Sequence, residues 1–139
     1  MELNPTIAII NFAEKSEDTH PVVRAIFQKE KPENIDGLTW KLISKYFEAD
    51  LQFCVFDGTT CDLDQLTPHK VEAFIYYFKS PSVLTSISDL VSQIQENFQP
   101  EMSALFYDGP SVSFDRKSDN VIEKITSEYF VEYITQDLS

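Results

Sequence analysis

The chain has 139 residues, 42% of them hydrophobic, and 23 acidic against 11 basic side chains, for a formal net charge of −12. That length and apolar content suit one domain with one core and exclude wholesale disorder. With no basic stripe the chain is a poor match to nucleic-acid phosphates or anionic membranes, and a basic protein surface is the better electrostatic partner. No apolar run approaches the length that crosses a bilayer, and the short, acidic Met1–Pro5 start is not expected to act as a secretory leader. Cys54 and Cys61 make no disulfide framework and are expected to be reduced thiols in a cytosolic protein.

In chain order, Pro5 to Phe12 is a nearly continuous apolar run, the pattern of a central strand covered on both faces. Val22 to Phe27 is the helix expected next, with Thr19 as a candidate cap and Pro21 near its first turn. Lys31 to Gly37 is a connector. Leu38 to Phe47 and Ala49 to Phe56 form two adjacent strands, expected as an antiparallel pair joined near Tyr46 to Glu48, with Asp57-Gly58 ending the second. A short helix is predicted within Asp62 to Lys70. Ala73 to Phe78 is an aromatic-rich strand. Ser80-Pro81 opens a helix whose core face is Leu84, Ile87, Leu90, Val91, Ile94 and Phe98, and which Pro100 stops. Met102 to Tyr107 is a further strand, Ser118 to Ser127 a helix with Val121, Ile122 and Ile125 facing inward, and Tyr129 to Thr135 a last strand. Strands alternating with helices imply a mostly parallel sheet. Six strands, with one antiparallel pair after the first helix, are the organisation of small GTPases, so the expected fold is α/β and small-GTPase-like over residues 1–139.

That fold binds its ligands at the carboxyl ends of its strands. At the first of these, Ala13, Glu14, Lys15 and Ser16 begin a loop running to Pro21 with no glycine and three acids. Lys15-Ser16 imitates the end of a phosphate loop, but the glycines that free backbone amides for an anion are missing. Asp57-Gly58 lacks the spacing of the GTPase magnesium motif. Tyr107-Asp108-Gly109 offers neither the asparagine nor the lysine that reads guanine, and no lysine for a response-regulator receiver. His20 and His69 have no partners at a metal-ligand spacing, and no nucleophile elbow occurs. The expectation is a domain with no catalytic residue, nucleotide, metal or other cofactor. An enzymatic alternative gives Asp57 and Asp108 one shared metal for phosphoryl transfer, or leaves a degenerate small GTPase. The aromatic stretch around Trp40, Tyr46 and Phe47 supplies the candidate partner-binding residues, on the strand pair through which small GTPases meet effectors.

Trp40-Lys41-Leu42-Ile43-Ser44-Lys45-Tyr46-Phe47-Glu48-Ala49-Asp50-Leu51, followed by Phe53-Cys54-Val55, resembles the alpha- and gamma-adaptin-binding protein family. Val71 to Ser80 resembles that family's next strand, and Ser86 to Leu90 and Met102 to Asp108 fit the following helix and strand. The resemblance implies a Rab-like pseudo-GTPase domain of a cytosolic assembly chaperone for clathrin adaptor complexes in vesicle trafficking. Its implied partners are the adaptor sigma subunit and alpha or gamma adaptin. The family's C-terminal helical region, implied to serve large-subunit binding and self-association, has no counterpart in these 139 residues. A permanent structural subunit of a vesicle coat is a further alternative.

Overall fold

The computed structural model describes residues 2–3, 6–13, 35–36, 39–43, 48–110 and 113–135. β2 (Thr6–Asn11) lies inside the sheet, with β5 (Glu48–Asp57) on one side and β6 (Ala73–Phe78) on the other, both parallel to it. Ala8, Ile9 and Ile10 are fully buried, although consecutive residues of a strand point to opposite faces. A strand that is apolar on both faces can satisfy them only between neighbours with cover above and below. β7 (Met102–Tyr107) and β8 (Glu132–Thr135) extend the parallel block beyond β6. β4 (Thr39–Ile43) runs antiparallel to β5 on the other flank, and β3 (Ile35–Asp36) antiparallel to β4.

The eight-stranded sheet has the order β3-β4-β5-β2-β6-β7-β8, and β1 (Glu2–Leu3) pairs in parallel with β5. The protein is therefore α/β, with a parallel block of five strands, β5-β2-β6-β7-β8. The hydrophobic pattern predicts six strands. The two it did not give, β1 and β3, are two residues long and too short to show any hydrophobic period, and β3 lies in the segment read as a connector. The expected helix over Val22–Phe27 lies outside the described residues.

One face of the sheet carries Ala8, Ile10, Phe74, Tyr76, Phe78, Leu105 and Tyr107. It is covered by α1 (Leu63–Leu66), α2 (Leu84–Phe98) and α3 (Arg116–Glu128). α2 buries Leu84, Ile87, Leu90, Val91 and Ile94, one stripe at helical spacing, and α3 buries Ile122 and Ile125. The other face holds Ile9, Phe53, Tyr77 and Phe106, flanked by Ile7, Leu51, Ile75 and Ile134. Among the described residues no helix belongs to that second cluster.

Side-chain caps fix the helix starts. The Asp62 carboxylate accepts from the Gln65 amide at 3.0 Å, and the Asp115 carboxylate from the Ser118 amide at 2.8 Å. The Ser80 hydroxyl accepts from the Ser82 amide at 3.3 Å, with Pro81 opening a single 3-10 turn before α2. The cap at Asp115 starts α3 two residues ahead of the expected Ser118.

The connections into β6, β7 and β8 share one device. Lys70 (φ 49°), Gln99 (φ 46°) and Phe130 (φ 57°) each adopt left-handed backbone before the next strand. This conformation ends helices and is ordinarily given to glycine, because a Cβ there costs about 1–2 kcal/mol. It also explains why the last strand begins at Glu132 and not at the expected Tyr129: the reversal at Phe130 breaks the extended run. Lys70→Gly and Gln99→Gly are each expected to raise stability by about 0.5–1 kcal/mol. Urea denaturation checks this, and no gain in either variant would contradict it.

Candidate functional site

The carboxyl ends of β2, β5, β6 and β7 line up along one edge, the place where open α/β sheets bind ligands. What this edge can do depends on which backbone amides are free. The Phe12 amide donates to the Tyr77 carbonyl at 2.8 Å, and the Gly58 amide to the Asn11 carbonyl at 2.7 Å. The Ala13 amide donates to the Asn11 side-chain oxygen at 3.2 Å, while the Asn11 side-chain amide returns a bond to the Ala13 carbonyl at 3.2 Å. The Thr59 amide donates to Asp57 Oδ1 at 3.0 Å, and the Asp108 amide to the Phe78 carbonyl at 2.9 Å. An anion cradle needs amides that converge without internal partners. These five are each committed inside the protein.

Packing crowds the described part of the same edge. Phe12 is buried, and a Cβ placed on Gly58 would lie 2.7 Å from its ring. Gly58 is thus required by the close approach of an aromatic side chain. Gly109 is constrained alike, since its Cβ would meet the Tyr107 hydroxyl at 2.6 Å and the Lys79 carbonyl at 2.7 Å. Both glycines are therefore held by close packing at this edge.

The acids at this edge are also engaged. Asp57 Oδ1 accepts from the Thr59 hydroxyl at 2.8 Å in addition to its amide. Tyr77 donates its hydroxyl to Asp108 Oδ2. Asp57 ends β5 and Asp108 follows β7, so β2 and β6 stand between them, three strand intervals or about 14 Å at ~4.8 Å each. Two carboxylates on metal–oxygen bonds of about 2 Å do not share one ion across that span. The structure does not bring together the pair on which the phosphoryl-transfer alternative depends. Among the described residues no group of three or more His, Cys, Asp or Glu side chains could hold a metal ion.

Neither cysteine is an activated thiol. Burial raises the pKa of Cys61, with Asp62 and Asp57 adding to the effect, and pushes it up to about 11, while burial raises Cys54 as well. A groove of about 340 Å³ between the amino ends of α2 and α3 is lined by Ser82, Thr85, Asp115 and Lys117 among others. The Asp115 carboxylate in it is already spent on capping α3.

Of the residues singled out from the sequence, Ala13 closes the Asn11 turn, and Trp40 lies in β4 paired with Leu51 of β5. Glu14, Lys15, Ser16, Tyr46, Phe47 and His20 lie outside the described residues, as do the side chains of Trp40 and His69. Sequence reasoning missed Asn11, Phe12 and Tyr77. The Asn11-Phe12-Ala13 step at a strand end was the available signal, since asparagine turns back on its own backbone at such positions. No described helix is long and apolar enough to cross a membrane. No protein-family model matches the sequence, and no curated protein matches it either.

Two adjacent tyrosines give opposite expectations. Tyr76 is fully buried and its hydroxyl has no hydrogen-bond partner among the described residues, whereas the Tyr77 hydroxyl serves Asp108. Tyr76→Phe removes an unmet desolvation penalty and is expected to leave stability unchanged or raise it. Tyr77→Phe removes a hydrogen bond to the Asp108 carboxylate and is expected to cost about 1–3 kcal/mol. Thermal unfolding of both variants distinguishes them, and an equal loss in the two would contradict this assignment. For Cys61, whose folded pKa is raised above 9.0, the native state holds the proton more tightly. Its contribution to stability is full below pH 9.0 and is lost as pH rises through about 11. The stability difference between the parent and Cys61→Ser should shrink over that window, and a difference that grows with pH would contradict the sign.

Proposed function

We propose that this chain is a non-catalytic protein-binding domain on a small-GTPase-like sheet that has given up its nucleotide. The observation that carries the reading is the commitment of the Phe12, Ala13 and Gly58 amides to internal carbonyl and amide oxygens at the end of β2. A phosphate seated on these three amides would have to displace those bonds. The strand order supports the finer fold assignment: an antiparallel strand, β4, beside β5, and then β2-β6-β7-β8 in parallel, is the arrangement of a G domain.

The resemblance to the alpha- and gamma-adaptin-binding protein family supplies the biological setting. Of the residues that carry it, Trp40–Ile43 fall in β4, Glu48–Val55 in β5 and Ala73–Phe78 in β6. On that reading the domain belongs to a cytosolic assembly chaperone of clathrin adaptor complexes. It engages the sigma subunit, alone or together with alpha or gamma adaptin, through the β4–β5 edge around Trp40, Tyr46 and Phe47. A net charge of −12 suits a basic partner surface.

Titration calorimetry with GTP and GDP in the presence of magnesium is expected to give no saturable heat, and micromolar or tighter binding would overturn the non-catalytic reading. Size-exclusion chromatography with purified sigma subunit is expected to give co-elution that is lost when the remaining adaptor chains are added. Co-elution that persists in the complete adaptor complex would instead indicate a permanent coat component.

A further inference from the structure

At the opposite, amino-terminal edge of the sheet, two large apolar side chains face water. Met102 is 63% exposed and Phe130 is 89% exposed. They occupy equivalent places: each lies two residues ahead of the register pair Ala104–Glu132 that starts the β7–β8 ladder. Single exposed apolar residues are ordinary on protein surfaces. Phe130 is not ordinary, because its backbone is left-handed at φ 57°, where a bulky side chain is disfavoured and glycine is free of strain. The position thus loses conformational energy to the Cβ and gains nothing from burial of the ring. Folding alone would favour glycine or asparagine there.

The surroundings say what would cover the ring. The three chain segments that meet at this edge are residues 70–72, 99–102 and 128–132, and the Glu101 amide bonds the Glu72 carbonyl across two of them. They carry Glu72, Glu101, Glu128 and Glu132, all exposed, against one cation, Lys70. An apolar pair rimmed by four glutamates is complementary to a segment that presents an apolar side chain between lysines or arginines. It repels an acidic partner, including a second copy of this chain at net charge −12.

We propose that the amino edge around Phe130 and Met102 is a docking surface for a basic, amphipathic segment of a partner protein. The surface is separate from the β4–β5 edge and lies at the end of the sheet away from the nucleotide position, so it stands whether or not the function proposed above holds. The apolar side chain of the partner seats against Phe130 and Met102, and its flanking cations pair with Glu101, Glu128 and Glu132.

The test uses a short amphipathic leucine–lysine peptide as probe, titrated into the isotope-labelled chain at physiological ionic strength and followed by amide chemical shifts. Shifts concentrated on residues 70–72, 99–102 and 128–132 are expected. A peptide of equal charge with serine in place of leucine should not saturate. Phe130→Gly and Phe130→Asn both keep the left-handed backbone accessible and remove the ring. Each should weaken peptide binding by at least about tenfold while leaving the thermal midpoint unchanged or higher. Shifts spread evenly over the acidic surface, or unchanged affinity in both variants, would overturn the proposal. Sedimentation showing a dimer of the parent chain that both variants abolish would also overturn it, by making a second copy the occupant.

Discussion

The whole arrangement depends on β2 being apolar on both faces. Ala8, Ile9 and Ile10 cannot all be buried at the rim of a sheet or under one layer of helices. They force β2 between β5 and β6, and that pairing fixes where its carboxyl end emerges. The residues at that end then decide what chemistry is open to the fold. Asn11 turns its side chain back onto Ala13, Phe12 packs into the core beside Gly58, and both neighbouring strands take up backbone hydrogen bonds. The same strand end that would hold a phosphate in a nucleotide-binding relative of this architecture is used here as a packing junction.

Electrostatics points the same way as sterics. Asp57 and Asp108 are satisfied locally, Asp57 by Thr59 and Asp108 by Tyr77, so the edge gains carboxylates without gaining a metal-holding cluster among the described residues. The half-buried thiol of Cys61 is held protonated by desolvation and by the carboxylates of Asp62 and Asp57. On the function proposed above, the sheet is a scaffold that presents surfaces, at the β4–β5 flank and at the amino edge near Phe130.

Much of this fold was legible in the residues because the signals were long and periodic. The apolar run at β2, the aromatic run at β6 and the helical stripe from Leu84 to Phe98 each correspond to an observed element. In β5, Leu51 and Phe53 pack on one face and Phe56 on the other, while Val55 is 39% exposed. The two-residue strands had no period to read. The start of β8 was misplaced because a phenylalanine, not a glycine, takes the left-handed position at 130. The missing glycines after β2 were visible as composition, but the occupation of the Phe12, Ala13 and Gly58 amides depends on three strands meeting and could not be inferred from spacing. Asp57 and Asp108 looked equivalent as strand-end acids, and only the strand order shows that two strands part them.

The central claim is that the end of β2 is closed to phosphate by its own hydrogen bonds and by Phe12. Amide hydrogen exchange at Phe12, Ala13 and Gly58 tests it most directly, measured with and without millimolar GDP and magnesium. The account predicts slow exchange at Phe12 and Gly58 in the ligand-free protein and no change at any of the three on adding nucleotide. Rapid exchange at these amides that becomes protected by GDP would contradict it.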